Sequence, residues 1–193
     1  ALAGAGAGNV NNGVHRYVAQ IKRRDYQGNI TYGVDNLLGE GPGEVNVVDA
    51  AADGQVNVTV WHEDDMELFS GRAVGLQVLG AGTGNRNIDL STTYYQFRPG
   101  DWICFNNKTA AAPAGVIRRY QVLSVGYDSG GGNIRIVVNK TDSAAVTINN
   151  NDYLTNDVTI ELYRTKAYGQ TYYLVGEYVF YNGSSTHVLA DNT

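Results

Sequence analysis

Proline is scarce in this chain, cysteine nearly absent and charge thin. Three prolines and one cysteine stand among 193 residues, so no internal disulfide can form and a cysteine-rich zinc site lacks its ligands. Three scattered histidines do not replace them. Charged residues make up 17% of the chain, against a usual ~25%. Lys and Arg number 14 against 19 Asp and Glu, a formal net charge of -5. A face that wraps nucleic-acid phosphates brings excess positive charge, so none is expected here. No run approaches the roughly 18 apolar residues of a membrane helix, and the opening ALAGAGAGN lacks the basic and apolar segments of a signal peptide. The first residue is Ala, so either an initiator Met was removed or the chain is an excised part of a longer protein.

What is abundant is Gly (24), Asn (19) and Tyr (14), a turn-rich β composition. Alternation with period two recurs along the chain, and no window of a dozen residues keeps helical spacing without a Gly or Asn cluster breaking it. The fold class is therefore all-β. Residues 13–24 alternate Val14, Arg16, Val18 and Gln20 against His15, Tyr17, Ala19 and Ile21, and Asp25-Tyr26-Gln27-Gly28 supplies a turn before a second strand at 29–32. GQVNVTVWH (54–62) sets Val56, Val58 and Val60 against Asn57, Thr59 and Trp61. Further strands are expected at 73–79, 87–97, 102–105, 116–127, 133–139, 158–165, 170–181 and 186–190, with a hairpin loop at 128–132. The Ala/Gly tracts at 1–8 and 109–115 have no side chains to pack and read as loop or linker. In 34–52, Asp35-Asn36-Leu37-Leu38 suggests one turn of helix stopped by GEGPGE. The expected core of the end segments is Val56, Val58, Val60, Ile160, Leu162, Leu174 and Val175, although adjacent Leu174 and Val175 cannot share one face of an undistorted strand.

Few motifs carry chemistry. His62, Glu63, Asp64, Asp65 and Glu67 gather one imidazole and four carboxylates, the oxygen-rich set a hard cation wants. The spacing is neither an EF-hand loop nor a zinc helix motif, so the plain reading is a solvated acidic loop and the sharper one a weak cation site. GAGAGN (4–9) and GAGTGN (80–85) lack the Gly-Lys-Ser/Thr of a phosphate loop and read as loops. No histidine is paired by sequence with a nucleophile, and Cys104, inside Trp102-Ile103-Cys104-Phe105, reads as a core filler. Lys22-Arg23-Arg24 and Arg118-Arg119 are basic pairs among tyrosines, a weak nucleic-acid signal; on strand ends such charges also guard sheet edges. The five Asn-x-Ser/Thr sequons are what an Asn- and Thr-rich chain produces by chance. The tyrosines offer apolar area with a polar tip, and Tyr94, Tyr95, Tyr168, Tyr172 and Tyr173 are the candidate interface residues; strand propensity alone is the plainer account of such tyrosines. No cofactor is implied.

The two ends of the chain resemble one family. LAGAGAGNVNNGVHRY (2–17), with the Asp-x-x-Gly-Asn turn at 25–29, resembles the first strands of the fibronectin-III/Ig-like domains of phage tail proteins. VTIELYRTKAYGQTYYLVGEYVFYNGSSTHVLADNT (158–193) resembles their last three strands, through Tyr163-Arg164-Thr165, a Gly turn, Tyr172-Tyr173-Leu174-Val175 and a close at Asp191-Asn192-Thr193. RYVAQIKRRDYQGNITYG (16–33) is similar to the strand pair in the tail nozzle proteins of short-tailed phages, also called tail tubular protein B or packaged-DNA stabilisation proteins. Domains of this kind run to about 100 residues. The resemblance therefore implies an antiparallel Ig/fibronectin-III-like sandwich from 1–61 and 157–193, with 62–156 inserted as a small β-barrel-like domain. Within the insert, RPGDWICF (98–105), RYQVLSV (119–125) and IRIVV (134–138) resemble an SH3-like barrel. The functional expectation is a structural virion component without catalysis. It docks with other copies of itself in a symmetric ring and with neighbouring tail or fibre proteins, DNA at most passes through the lumen, and no membrane is involved. The alternative is a receptor- or glycan-binding domain of a tail fibre or adhesin. A β-fold hydrolase needs paired carboxylates in a groove, which the sequence does not display.

Overall fold

Strands whose alternate residues are apolar hide one face and wet the other, and that pattern builds this protein. The computed structural model describes residues 2–33, 43–47, 54–61, 70–91, 97–107, 116–130, 132–150, 152–179 and 186–191. Among them every regular element is a β-strand: β1 (Leu2–Val10), β2 (Gly13–Arg24), β3 (Ile30–Tyr32), β4 (Gly43–Val47), β5 (Gly54–Trp61), β6 (Ser70–Arg72), β7 (Gln77–Leu79), β8 (Gly84–Leu90), β9 (Trp102–Asn107), β10 (Val116–Tyr127), β11 (Ile134–Lys140), β12 (Val146–Ile148), β13 (Tyr153–Asn156), β14 (Val158–Thr165), β15 (Tyr172–Val179) and β16 (Thr186–Asp191). The chain divides into two compact units, one of residues 1–23, 32–66 and 159–193, the other of 24–31 and 67–158.

In the first unit the two ends of the chain pair with each other. β5 lies between β1 and β16, and in a second sheet β14 lies between β15 and β2, with β4 also paired to β2. The pairing is antiparallel, β16 on β5 running from Thr186 opposite Trp61 to Asp191 opposite Val56. Val56, Val58 and Val60 are buried while Asn57 and Thr59 are half-buried, as period two demands. Ile160, Leu162, Tyr17 and Ala19 are fully buried with them.

β1 corrects one expectation. Its Gly/Ala sequence has little to pack, yet it is a strand rather than a linker, because a ladder is made by backbone groups and β5 supplies the partners. The weak side-chain pattern shows instead as two register shifts, between Gly4 and Ala7 and between Ala7 and Val10. The turn of helix considered at 35–38 and the tract at 109–115 lie outside the described residues.

The second unit is a curled six-strand half-barrel in the order β6-β13-β9-β10-β11-β8. Its edges meet where Ala73 bridges Leu90, with Ser91 N donating to Arg72 O at 2.8 Å and Val74 N to Asp89 O at 3.0 Å. Gly71 permits this approach: a Cβ there would sit 2.9 Å from Leu90 Cδ1. The expected strand at 73–79 is thus two pieces, the bridge at Ala73 and β7, which pairs with β12. Inside lie Ile88, Leu90, Phe97, Ile103, Phe105, Tyr120, Val122, Ile136, Val138 and Leu154, with Phe105 and Tyr120 edge to face at 5.8 Å. Lys140 falls on the inward phase of β11 and is fully buried. Its ammonium is satisfied there, donating to Asp142 O (2.6 Å) and Gly82 O (3.1 Å) and ion-paired with the Asp142 carboxylate at 3.0 Å. The turn after β2 forms as expected, with Gly28 at φ 88° and Asp25 Oδ1 accepting from the Gln27 and Asn29 amides.

Candidate functional site

Among the described residues, the hairpin of β14 and β15 carries most of the exposed large apolar side chains of the first unit. β14 ends at Thr165, and the turn closes with Gly169 N donating to Lys166 O at 2.8 Å. Within it Tyr168 holds φ at 58°, the one non-glycine with positive φ among the described residues. Such a conformation costs about 1–3 kcal/mol and persists where surroundings impose it. β2 does so, since Tyr168 N donates to Val14 O at 2.8 Å. Gly13, at φ 133°, makes the room, because a Cβ there would lie 2.8 Å from Ala167 Cβ and 2.9 Å from the Tyr168 ring. Tyr168 stands 77% exposed.

The register of β15 then breaks. Leu162 faces Gly176 while Tyr163 faces Leu174, which leaves Val175 unopposed as a bulge. The bulge inverts the phase of the strand. Tyr172, Tyr173 and Leu174 are consecutively exposed, at 36%, 50% and 56%, where a regular strand would hide one of every two. Leu174, expected in the core, is therefore on the surface, and Val175 is half-buried. Beside them Arg164, Thr165, Lys166, Tyr173, Leu174 and Val175 line a shallow depression of about 140 Å³. The Lys166 ammonium lies 5.4 Å from the centre of the Tyr173 ring, a cation-π contact. Arg164 is anchored from beneath, its Nη1 donating to Asp191 Oδ2 at 2.7 Å, and the fully buried Asp191 also accepts from the Tyr17 hydroxyl at 2.8 Å. Burial, reinforced by Asp191, pushes the Tyr17 phenol far above its ordinary value. His15, also buried, has Nδ1 2.8 Å from Thr165 O and Nε2 2.7 Å from Asn11 O, which fixes the root of the hairpin.

Three of the five candidate tyrosines, Tyr168, Tyr172 and Tyr173, thus share one hairpin. Tyr94, Tyr95 and the acidic set His62, Glu63, Asp64, Asp65 and Glu67 lie outside the described residues. Among the described residues no three His, Cys, Asp or Glu side chains gather as metal ligands. Four of the five residues in the basic runs are tied to carboxylates: Arg24 and Arg119 both hold Asp157 at 2.9 Å, Arg118 lies 3.7 Å from Asp142, and Lys22 binds Glu161. Cys104 is fully buried against Thr155 Oγ1 at 3.4 Å, and burial pushes its thiol up to about 12.

The structure also assembles a carboxylate pair that motif reading passed over. Glu161 and Glu177 are directly opposite on β14 and β15, and Lys22 on β2 reaches both, at 2.9 and 3.2 Å. The Tyr163 hydroxyl donates to Glu161 Oε2 at 2.5 Å. Burial pushes the Glu161 carboxyl upward, but the Tyr163 and Lys22 hydrogen bonds outweigh it and hold the group below its usual range. A general acid needs the opposite shift; as built, Lys22, Glu161, Glu177 and Tyr163 form one ion-pair and hydrogen-bond network. Counting outward from the turn, with one residue allowed for the bulge, is the signal that pairs 161 with 177. No family model, no curated protein and no solved structure matches this chain.

Proposed function

We propose that this chain is a structural module of a phage tail, of the nozzle or tubular type, and works by docking against neighbouring subunits without catalysis. The finer architecture in this proposal is an Ig/fibronectin-III-like sandwich from the two chain ends with a small barrel-like β domain between them in sequence. Its partners are other copies of itself in a symmetric ring and adjoining tail or fibre proteins, with DNA at most passing through the lumen and no membrane involved. The observation that carries the proposal is the aromatic ledge of Tyr168, Tyr172, Tyr173 and Leu174 on one hairpin. Tyrosine-rich, partly apolar surface is the composition of protein interfaces, and the tyrosine-bearing end strands are also where the chain resembles tail proteins. The test is compositional and structural. Purified particles should contain the chain in a fixed multiple per tail, and a density map should place symmetric copies with this hairpin against a neighbour. A chain absent from particles, or present with the hairpin facing solvent, overturns the reading.

One observation favours a second reading, a glycan-binding domain. The depression beside Tyr173 combines an exposed ring with a cation and a hydroxyl, which suits a sugar stacked on an aromatic. Binding of bacterial surface polysaccharide that is lost in Tyr173→Ala supports this second reading; equal retention by both proteins eliminates it.

A further inference from the structure

The outer side of β15 supports a more specific reading, which rests on the docking function proposed above. β15 is the end strand of its sheet. Its first half, Tyr172–Val175, pairs inward with β14 through the Thr165, Arg164 and Tyr163 positions. It makes no other hydrogen bond among the described residues. An open edge of this kind is a template for one more strand. Over residues 172–174 there is no proline, no charge and, among the described residues, no covering strand, and all three side chains are exposed; the one edge protection present is the bulge at the end of the stretch, Val175. The bulge at Val175 ends the open stretch, since it breaks the regular ladder. Beside the edge sits a cation without a carboxylate among the described residues: Lys166 makes its cation-π contact with Tyr173 and no ion pair. Lys22, Arg24, Arg119, Arg135, Lys140 and Arg164 are matched with acids; Lys166, like Arg23, Arg86 and Arg98, has no ion pair among the described residues, and it is the one of these four that lies at the β15 edge.

We propose that Tyr172–Val175 accepts an extended, carboxylate-bearing segment of a neighbouring tail polypeptide by strand addition, with Lys166 as its charge contact and the depression at Tyr173 and Leu174 as the seat for an apolar side chain. Backbone pairing supplies the hold and the alternate side chains the selectivity. Lys166 already covers part of the Tyr173 ring, which favours a carboxylate-bearing peptide over a sugar stacked on that ring.

The test uses the full chain and an end-capped nine-residue peptide alternating valine with threonine or glutamate, against a counterpart with lysine replacing glutamate. Amide resonances are followed during titration at low salt. The expected result is a shift confined to 166 and 172–175, slowed hydrogen exchange at amides of 172–175, and binding of the acidic peptide about threefold or more tighter than the basic one, the difference between one exposed attraction and one exposed repulsion. Lys166→Glu should reverse that preference, and Leu174→Ala should weaken both peptides with the fold unchanged, both positions being solvent-facing. Shifts elsewhere, equal affinities, or unaltered exchange at 172–175 overturn the proposal. So does self-association of the unliganded chain through this edge, which makes a second copy the occupant, or tighter binding of polygalacturonate at the same residues. None of these outcomes bears on whether the chain is present in particles, so the docking reading stands or falls separately.

Discussion

Two leucines on adjacent strands separate burial from hydrophobicity. Leu162 is fully buried and Leu174 is 56% exposed, although both lie in apolar runs of strand sequence. Leu162→Ala should cost about 2–5 kcal/mol through lost burial and a residual cavity. Leu174→Ala should stay within about 0.5 kcal/mol, as surface substitutions do. Urea denaturation of the two variants checks this directly, and comparable losses would place Leu174 back in the core. Gly13→Ala offers a third case, because its φ of 133° and the 2.8 Å approach to Ala167 leave no relaxed position for a methyl group. A loss of about 1–3 kcal/mol is expected from the backbone alone, read in the same denaturation. Period-two logic placed Val56, Val58 and Val60 correctly because β5 is regular. It failed at Leu174 because a bulge is decided by pairing across strands, which local pattern does not contain. The buried Lys140 is a similar case: its inward phase continues Ile134, Ile136 and Val138, but only the fold reveals that Asp142 and Gly82 wait for the amine.

At the scale of elements, β2, β14 and β15 are joined on one face by Lys22, Glu161 and Glu177, and this predicts how the sheet responds to pH. Glu161 titrates below its ordinary value of 4.5 in the folded protein, so its contribution is complete above that pH and is lost as pH falls through the folded value. Lys22 is shifted the other way: burial lowers it, but the Glu161 and Glu177 contacts prevail and raise it above 10.5. Its contribution is complete below that value and fades as pH rises through the folded one. Urea midpoints should therefore hold across the neutral range and drop at both extremes. Glu161→Gln should flatten the acid limb, and Lys22→Met should cost about 1–3 kcal/mol by leaving two facing carboxylates without their cation. An acid limb unchanged in Glu161→Gln would remove the network from the account. The long strands β2 and β10 were legible from sequence at their full extent because twelve residues without a helical period or a turn signal leave a strand as the reading, and in β2 residues 13–20 alternate as well. The short β12 and β13 were not, since three or four residues define no period, and β1 was hidden because glycine and alanine carry no pattern. The β14–β15 hairpin was legible as two strands, and its three tyrosines as interface candidates. That they cluster followed only from the turn at Tyr168.

For the molecule as a whole, the consequence of these pairings is that the first unit depends on residues far apart in sequence. β16 is one of the two neighbours of β5, and β14 one of the two sides of β2, so the segment 159–193 completes both sheets that residues 1–61 begin. Deleting 159–193 removes β16 and β15 together with all of β14 beyond Val158. It uncovers one side of Val56, Val58 and Val60 and takes away Ile160 and Leu162, all of them fully or nearly fully buried residues of that unit. What remains of the unit is two separate strand pairs, β1 with β5 and β2 with β4, and an isolated two-stranded pair is marginal at best in water. The second unit has its own core, drawn from residues 73–154, and its sheet is paired among β6, β8, β9, β10, β11 and β13 with no strand from the deleted region. Hydrogen exchange on the truncated chain should therefore show amides of 56–60 exchanging at unprotected rates while those of 134–140 keep their protection. Loss of protection at 134–140 would mean that the half-barrel is not self-sufficient; protection retained at 56–60 would mean that β5 holds its place without β16. Because strand pairs this distant must close long loops before their pairing rewards them, the same dependence predicts that on refolding the amides of 134–140 become protected before those of 56–60 in the intact chain.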